Sequence, residues 1–475
     1  MKLKIEIRII VNCLLVTIVL LVTSCVDGFK EDYLFSSGVK NTTLQSPDSI
    51  AFTPSSDGAT VKISWPVVYG AGGYQLTFYR VDDPANPVVV GQKDQVIDGC
   101  STTRDLAEDS KYKVVIKTLG DSTLNNKAAI SAKEAAYSTL LPALAVIPTG
   151  TDLAQYFASN PIPSSTTELA YQLEAGGVYT MSANIPLGLT KLTIRGDKIK
   201  HSTITMSTGV LLSDGAGLKL KFLDFDCSGF TGSSLITYNP TQNAAVLSNG
   251  YVVVTSPIAI QSCKITNLAT KLIWDSAKKY SLQSVIIKDC IIGMNSSLSS
   301  SILIHIPGGG IIKDLSLTNS TFYNKQVNSA YFIQYGNTKV ATASNSAWAS
   351  ASVSVNNCTF WQVAKTGQMA NYTGMAYAGN YLTIQKSIFV DCGNQQVIRR
   401  FSGQSPNMTR TYGYNSYWYN GAFVTTEVSG SYYDNSGSHI TTDPALKDPA
   451  NADFTVGGTT QISTKTGDPR WLPVQ

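Results

Sequence analysis

The sequence predicts an all-β chain in which a small antiparallel sandwich precedes a longer parallel β-helix. Three observations predict it. Residues 46–140 alternate apolar and polar side chains in short runs split by turn formers. From Leu192 onward, one template of apolar slots recurs at roughly the length of a β-helix coil. Polarity comes mainly from Ser, Thr and Asn, because charged residues make up only 14% of the 475.

The first segment is not part of either fold. Lys2, Lys4 and Arg8 precede an apolar run from Ile9 to Val22, and Val22-Thr23-Ser24-Cys25 follows. A basic start, a short apolar run and a small-residue cleavage site make residues 1–24 a secretion signal. The run is shorter than the ~20 residues a membrane-spanning helix needs. Val22 to Cys25 resembles the lipobox of bacterial lipoproteins. That resemblance implies cleavage before Cys25 and acylation of its thiol, so the mature N-terminus has outer-membrane lipid as its partner, at ~0.8 kcal/mol per buried CH₂. Residues 25–45 are then a surface tether. Val26-Asp27-Gly28-Phe29-Lys30-Glu31-Asp32 is similar to the acidic tract of outward-facing lipoproteins of the Bacteroidetes, which implies display on the cell exterior.

Loss of residues 1–24 removes three basic and one acidic side chain, so the formal charge falls from +4 to +2. A nearly neutral chain carries no field for nucleic acid. Beyond Cys13 and Cys25 the cysteines are Cys100, Cys227, Cys263, Cys290, Cys358 and Cys392. An exported chain can pair such residues, but three of them share one template slot, which favours free packed thiols.

Within residues 46–140, the runs Thr60 to Trp65, Gly73 to Arg80, Pro87 to Lys93 and Tyr112 to Leu119 read as half-buried strands. Trp65, Tyr74 after Ala71-Gly72-Gly73, and Leu106 six residues before Tyr112 resemble the core of the fibronectin type III family. The resemblance implies a fibronectin type III-like sandwich whose aromatics fill the space between sheets. Its expected role is to hold the next domain off the membrane.

The template has apolar residues at −5 and −3, a small residue, Cys or Ser at 0, and an apolar residue at +2. Leu192/Ile194/Asp197/Ile199, Leu218/Leu220/Leu223/Phe225, Ile258/Ile260/Cys263/Ile265 and Val285/Ile287/Cys290/Ile292 fit it. Leu315/Leu317/Ser320/Phe322, Val353/Val355/Cys358/Phe360, Leu382/Ile384/Ser387/Phe389 and, weakly, Thr411/Gly413/Ser416/Trp418 continue it. Alternation breaks by one residue between −3 and 0, so the chain must bend there while both flanks point inward. Pairs such as Thr318-Asn319 and Asn356-Asn357 suit that bend. Asp152 to Ala158 is expected to form a short helix capping the open end.

Residues 146–475 resemble the right-handed parallel β-helix proteins of the pectate-lyase superfold. Asp443-Pro444, Asp448-Pro449, Asp453-Phe454-Thr455-Val456 and Gly467-Asp468-Pro469-Arg470-Trp471 look like the closing segment of β-helix lipoproteins of the Bacteroidetes. Those are associated with polysaccharide use, especially pectin, which implies a pectin-like or other uronate-containing glycan and a glycan uptake complex as partners. The family transfers no catalytic residues.

Enzymes of this superfold need carboxylates for acid and base work, or Asp clusters for calcium and a basic residue to take a proton. No Asp or Glu occurs between Asp314 and Asp391. Asp224 and Asp226 flank inward Phe225, so both face out and offer at most one calcium site. Two solvated side chains is the favoured reading, and no cofactor is expected. Lys365, Arg399 and Arg400 lie in the coils where a metal-free lyase would place its base, although adjacent arginines on a strand project to opposite faces. His201, His305 and His439 are isolated.

Aromatic residues carry the stronger signal. The outward +3 slot holds Tyr323 and Trp361, with Tyr419 assigned to it in the last rung, and Trp348 lies in the insertion from Asn324 to Ser352. Rungs ~4.8 Å apart match successive sugars in an extended chain. Three readings remain open: a surface glycan-binding protein, a lyase of the same fold, and a structural or adhesive protein. The first is preferred, on condition that the insertion leaves the stripe uncovered.

Overall fold

The computed structural model describes residues 39–248, 250–336, 348–372, 379–404, 407–430 and 432–473. The signal, Cys25 and most of the tether lie outside the described residues. The chain divides into two units, 1–141 and 142–475.

In the first unit, Ala51–Pro54, Thr60–Ser64 and Ser101–Asp105 form one antiparallel sheet. Ala71–Arg80, Lys111–Gly120 and Lys133–Ser138, with the short edges Val88–Val89 and Gln95–Ile97, form another. Both feed one core that contains Val61, Ile63, Trp65, Tyr74, Phe78 and Tyr112. Trp65 meets Tyr74 edge-on at 5.4 Å, and Phe78 stacks on Tyr112 at 5.0 Å. The Tyr112 hydroxyl accepts from the Ala107 N–H at 2.5 Å, tying the strand to the chain five residues upstream. Only Val88–Val89 of the expected run from Pro87 to Lys93 pairs as strand, because it forms an exposed edge.

The second unit is a parallel β-helix, as strand register alone establishes. The first sheet runs from Leu169–Leu173 through successive coils to Thr409–Gly413. The second runs from Val178–Met181 to Ser416–Tyr419, and the third from Ile185–Gly188 to Gln368–Asn371. In the coils from Leu218 onward, the bend expected between −3 and 0 is made by one left-handed residue each: Phe222, Ser262, Asp289, Asn319, Asn357, Lys386 and Tyr414, with φ between 48 and 57°. That conformation costs a non-glycine residue about 1–2 kcal/mol. It lets −3 and 0 both face the core.

Slot 0 forms an internal ladder. Ser320 Oγ accepts from the Cys290 N–H at 3.0 Å, Ser387 Oγ from that of Cys358 at 3.2 Å, and Asn415 Oδ1 from that of Ser387 at 3.1 Å. Cys263 and Cys290 thiols donate to the carbonyls of Leu220 and Ile260 in the coil before, at 3.5 and 3.3 Å. All described cysteines are free. At +2, Phe322, Phe360, Phe389 and Tyr417 stack in one column with centroids 4.8–5.7 Å apart.

Three corrections follow. In the last rung the register is one residue earlier than expected: Ile384 pairs with Tyr412 and Phe389 with Tyr417, so slot 0 is Asn415 and Trp418 is the outward residue. In the first rung, Ser202 and Ile204, not Asp197 and Ile199, align with Leu223 and Phe225. Asp197 instead accepts the Ile199 and Lys200 N–H groups at 3.0 Å each, which lengthens that corner and exposes Ile199. A further coil precedes these, with Leu169, Tyr171 and Tyr179 in register with Leu192, Ile194 and Ile204.

Helix α1 (Leu153–Ser159) has Asp152 as its N-cap, accepting from Gln155 N at 3.0 Å, and buries Leu153, Ala154 and Phe157 against the first coils. At the far end, α2 (Val397–Phe401) takes the place of a third-sheet strand. A hairpin of Leu446–Asp448 and Asp453–Val456, α3 (Thr459–Thr464) and a turn at Pro469–Trp471 form the closing segment.

Candidate functional site

The closing segment lies on the outer face of the second sheet, where the aromatic stripe was expected. Asp468 accepts from Thr321 Oγ1 at 2.7 Å and donates its own N–H to Thr359 Oγ1 at 3.0 Å. Trp471 Nε1 donates to Thr321 Oγ1 at 2.8 Å. Phe454 packs on Tyr323, which is only 4% exposed. Tyr323 is therefore no platform, and among the described residues its cover comes from the closing segment, while residues 337–347 of the insertion lie outside the described residues. Trp348 is buried too, at 8%, as part of the coil core.

Trp361 and Tyr419 are half-buried. The Tyr419 hydroxyl donates to Lys365 O at 3.2 Å, and Lys365 Nζ sits 5.8 Å above its ring. Lys365 also pairs with Asp391 at 3.0 Å, so its ammonium is committed to a carboxylate. Arg399 and Arg400 lie on α2, not on a strand, and Arg399 donates to Gln396 Oε1 at 3.2 Å. Burial, with Arg399 beside it, lowers the Arg400 pKa. Lys365 and Arg399 are thus engaged by different neighbours.

Asp224 and Asp226 face outward as expected but serve separate turns and pairs. Asp224 holds His201 Nδ1 at 2.9 Å, and Asp226 accepts from Ser228 N at 3.0 Å. Among the described residues no group of three His, Cys, Asp or Glu side chains that could hold a metal ion occurs.

The third sheet carries a different row, which the template could not reach. Register aligns Leu212, Thr237, Trp274, His305, Gln334 and Asn371 on its outer face. Their inward neighbours Ile236, Ile273, Ile304 and Ile333 are fully buried. Turns after the second sheet differ in length from coil to coil, so this row has no fixed offset from slot 0.

A groove of about 410 Å³ opens where this row begins, lined by Asn184, Thr208, Leu212, Thr237, Asn239 and Trp274, with no carboxylate. Lys271 Nζ lies 5.6 Å over the Trp274 ring, and burial lowers its pKa. Burial and then Lys271 bring the His305 pKa down to about 4, so its imidazole is neutral at neutral pH. His305 Nδ1 is buried without a hydrogen-bond partner. The side chains of Gln334 and Asn371 extend the row toward α2, which packs on Gln368–Asn371. The arrangement offers one flat ring, neutral donors and acceptors, and a mildly basic edge.

Three family models match the chain. Residues 3–176 match a domain of unknown function, DUF4992, residues 177–325 a second, DUF4957, and residues 353–471 a third, DUF5123. The first boundary falls at Gly176-Gly177, inside the first coil. Among curated proteins nothing matches. Solved structures similar to the chain include pectate lyase PelI from Erwinia chrysanthemi in complex with tetragalacturonic acid. It is 8% identical, with 72% of this chain and 84% of that one covered and a TM-score of 0.14. Pectate lyase Pel3 from Pectobacterium carotovorum is 10% identical, with 62% and 86% covered and a TM-score of 0.14. At these scores the likeness carries no weight, and the coil geometry rests on register.

Proposed function

We propose that this chain is a lipid-anchored surface protein that holds polysaccharide along the outer face of its third sheet. One observation carries the reading: Trp274 stands in an aligned row of neutral polar side chains beside a groove without carboxylates. Steps of ~4.8 Å between coils let successive sugars meet successive side chains. A ring such as Trp274 offers an apolar face to a pyranose, while Gln334 and Asn371 offer amide donors and acceptors. The pectin-like class of glycan, the acylated Cys25, the outer-membrane exterior, the fibronectin type III-like spacer and the neighbouring uptake complex belong to the same proposal. They rest on the resemblances of the lipobox, the acidic tract, the sandwich core and the closing segment.

Affinity gel electrophoresis with polygalacturonate and with a neutral galactan tests it. Trp274→Ala should weaken retention by about 0.5–1.5 kcal/mol, the worth of one aromatic contact. Unchanged retention in that variant, or none in the unaltered protein, would remove the third-sheet site. An absorbance assay for unsaturated uronate products, run in parallel, identifies a lyase if one is present.

A further inference from the structure

Among the described residues, the closing segment does not cover the whole outer face of the second sheet. Arg470 lies toward the earlier coils, where its guanidinium donates to the Cys290 carbonyl at 3.4 Å and pairs with Asp468 at 3.2 Å. On the side of the earlier coils, a pocket of about 350 Å³ remains open. Its lining comes from four successive coils: His201, Asp224, the corner at Ser262 with Lys264, then Asp289 and Ile291. Arg470 forms its far wall, and Trp471 and Asp468 fill the next coil over Thr321.

The lining is mixed in a way that suits a sugar ring. Asp224 orients His201 through Nδ1, which leaves Nε2 directed elsewhere. Lys264 is exposed, on the strand between Asp224 and Ile291. Asp289 spends one carboxylate oxygen on the Asn319 amide at 3.1 Å. Donors and acceptors thus alternate around half-buried Ile291, the apolar patch a pyranose face requires. Cys263 also lines the pocket, but burial pushes its thiol pKa well up, so it is no nucleophile.

We infer that this pocket is a chain-end subsite, taking the terminal sugar of a glycan that runs along the open half of the second sheet and stops against Arg470. The inference rests on the glycan reading above but on a different surface. On the reading above, the third-sheet row takes the middle of a chain. The second-sheet pocket is blocked on one side by the protein's own closing segment, so an internal stretch of polymer cannot pass through it.

Calorimetric titration of the full chain with a galacturonate tetrasaccharide and a galactose tetrasaccharide, each free and with both ends blocked by bulky groups, tests this. Free tetrasaccharide of at least one kind should bind, and its doubly blocked form should bind at least tenfold more weakly. His201→Ala and Lys264→Ala should each lower tetrasaccharide affinity by at least threefold while leaving the melting temperature and gel retention of polymer unchanged. Equal binding of free and blocked forms overturns the inference, as does full affinity in both variants. Polymer retention without tetrasaccharide binding overturns the chain-end site and leaves the third-sheet reading standing. Tetrasaccharide binding that survives Trp274→Ala while polymer retention falls supports two separate sites, and absence of any glycan binding overturns both readings.

Discussion

The rings of Tyr323 and Phe454 lie 5.2 Å apart, although 130 residues of sequence separate them. Tyr323 occupies an outward slot on its strand, yet Phe454, itself packed on Trp471 at 5.6 Å, turns that slot into interior. The closing segment thereby acts as part of the core. It gives the second sheet a second buried face over the later coils.

Tyr323→Ala should therefore behave as a core truncation. A loss of about 3–5 kcal/mol is expected for a buried aromatic, with glycan retention per folded molecule unchanged. Phe454→Ala should cost a similar amount, and the double variant less than the sum, because both remove the same contact. Thermal unfolding of the three variants checks it. Full additivity, or a change in retention without a change in melting temperature, would contradict the packing.

The ladder predicts inert thiols. Burial pushes the Cys290 thiol up to about 12 and that of Cys358 higher still. Cys263, Cys290 and Cys358 should resist alkylation in the native protein and all label after denaturation, with no disulfide by mass spectrometry of the non-reduced chain. Cys358→Ser should be tolerated within about 1 kcal/mol, because serine already fills the equivalent slot at Ser320 and Ser387. A native disulfide at any of the three would remove the ladder.

Much of the fold was legible because its first two sheets are joined by a corner of nearly constant length. The break in alternation before Cys263, Cys290, Ser320, Cys358 and Ser387 is the left-handed residue at each corner, read as a phase shift in the sequence. The register failed at both ends for local reasons. Asp197 spends its carboxylate on two backbone N–H groups and lengthens its turn, while Tyr414 takes the left-handed position one residue ahead of the expected one. The candidate site was less legible. Outwardness on a strand does not reveal whether a distant segment returns to cover it, as Phe454 covers Tyr323. Trp274 and His305 align only through register across turns of unequal length.

Anchoring is tested at Cys25. Cys25→Ala should release the protein from the membrane fraction or leave it unprocessed. Incorporation of radiolabelled acyl chains into that variant would show that the lipid is attached elsewhere.

The pH dependence of stability is set by two buried acids, opposed by His305. The His305 pKa of about 4 costs stability as pH falls through the ordinary imidazole range of ~6.5 and offsets only part of what the two acids contribute. Asp275 is fully buried and accepts the Gly308 and Ala277 N–H groups at 2.8 and 2.9 Å, yet burial outweighs these bonds and raises its pKa to about 7. Glu427 accepts the Val397 and Ile398 N–H groups that open α2, at 2.5 and 2.9 Å, and burial likewise raises it to about 7. An unfolded carboxyl titrates near ~4. Between that value and about 7 the folded state holds protons that the unfolded state has released, so stability falls as pH rises through this window and levels off above it. Asp152 and Glu168, whose pKa values are lowered, act in the opposite sense and cost stability only as pH drops below the ordinary carboxylate range. The melting temperature should thus be higher at pH 5 than at pH 8. Asp275→Asn and Glu427→Gln should each lower it at pH 5, by losing an acceptor for a backbone N–H, and each should flatten its slope between pH 5 and 8. A melting temperature that rises from pH 5 to pH 8, or a slope that neither substitution changes, would show that these carboxyls are not protonated in the fold.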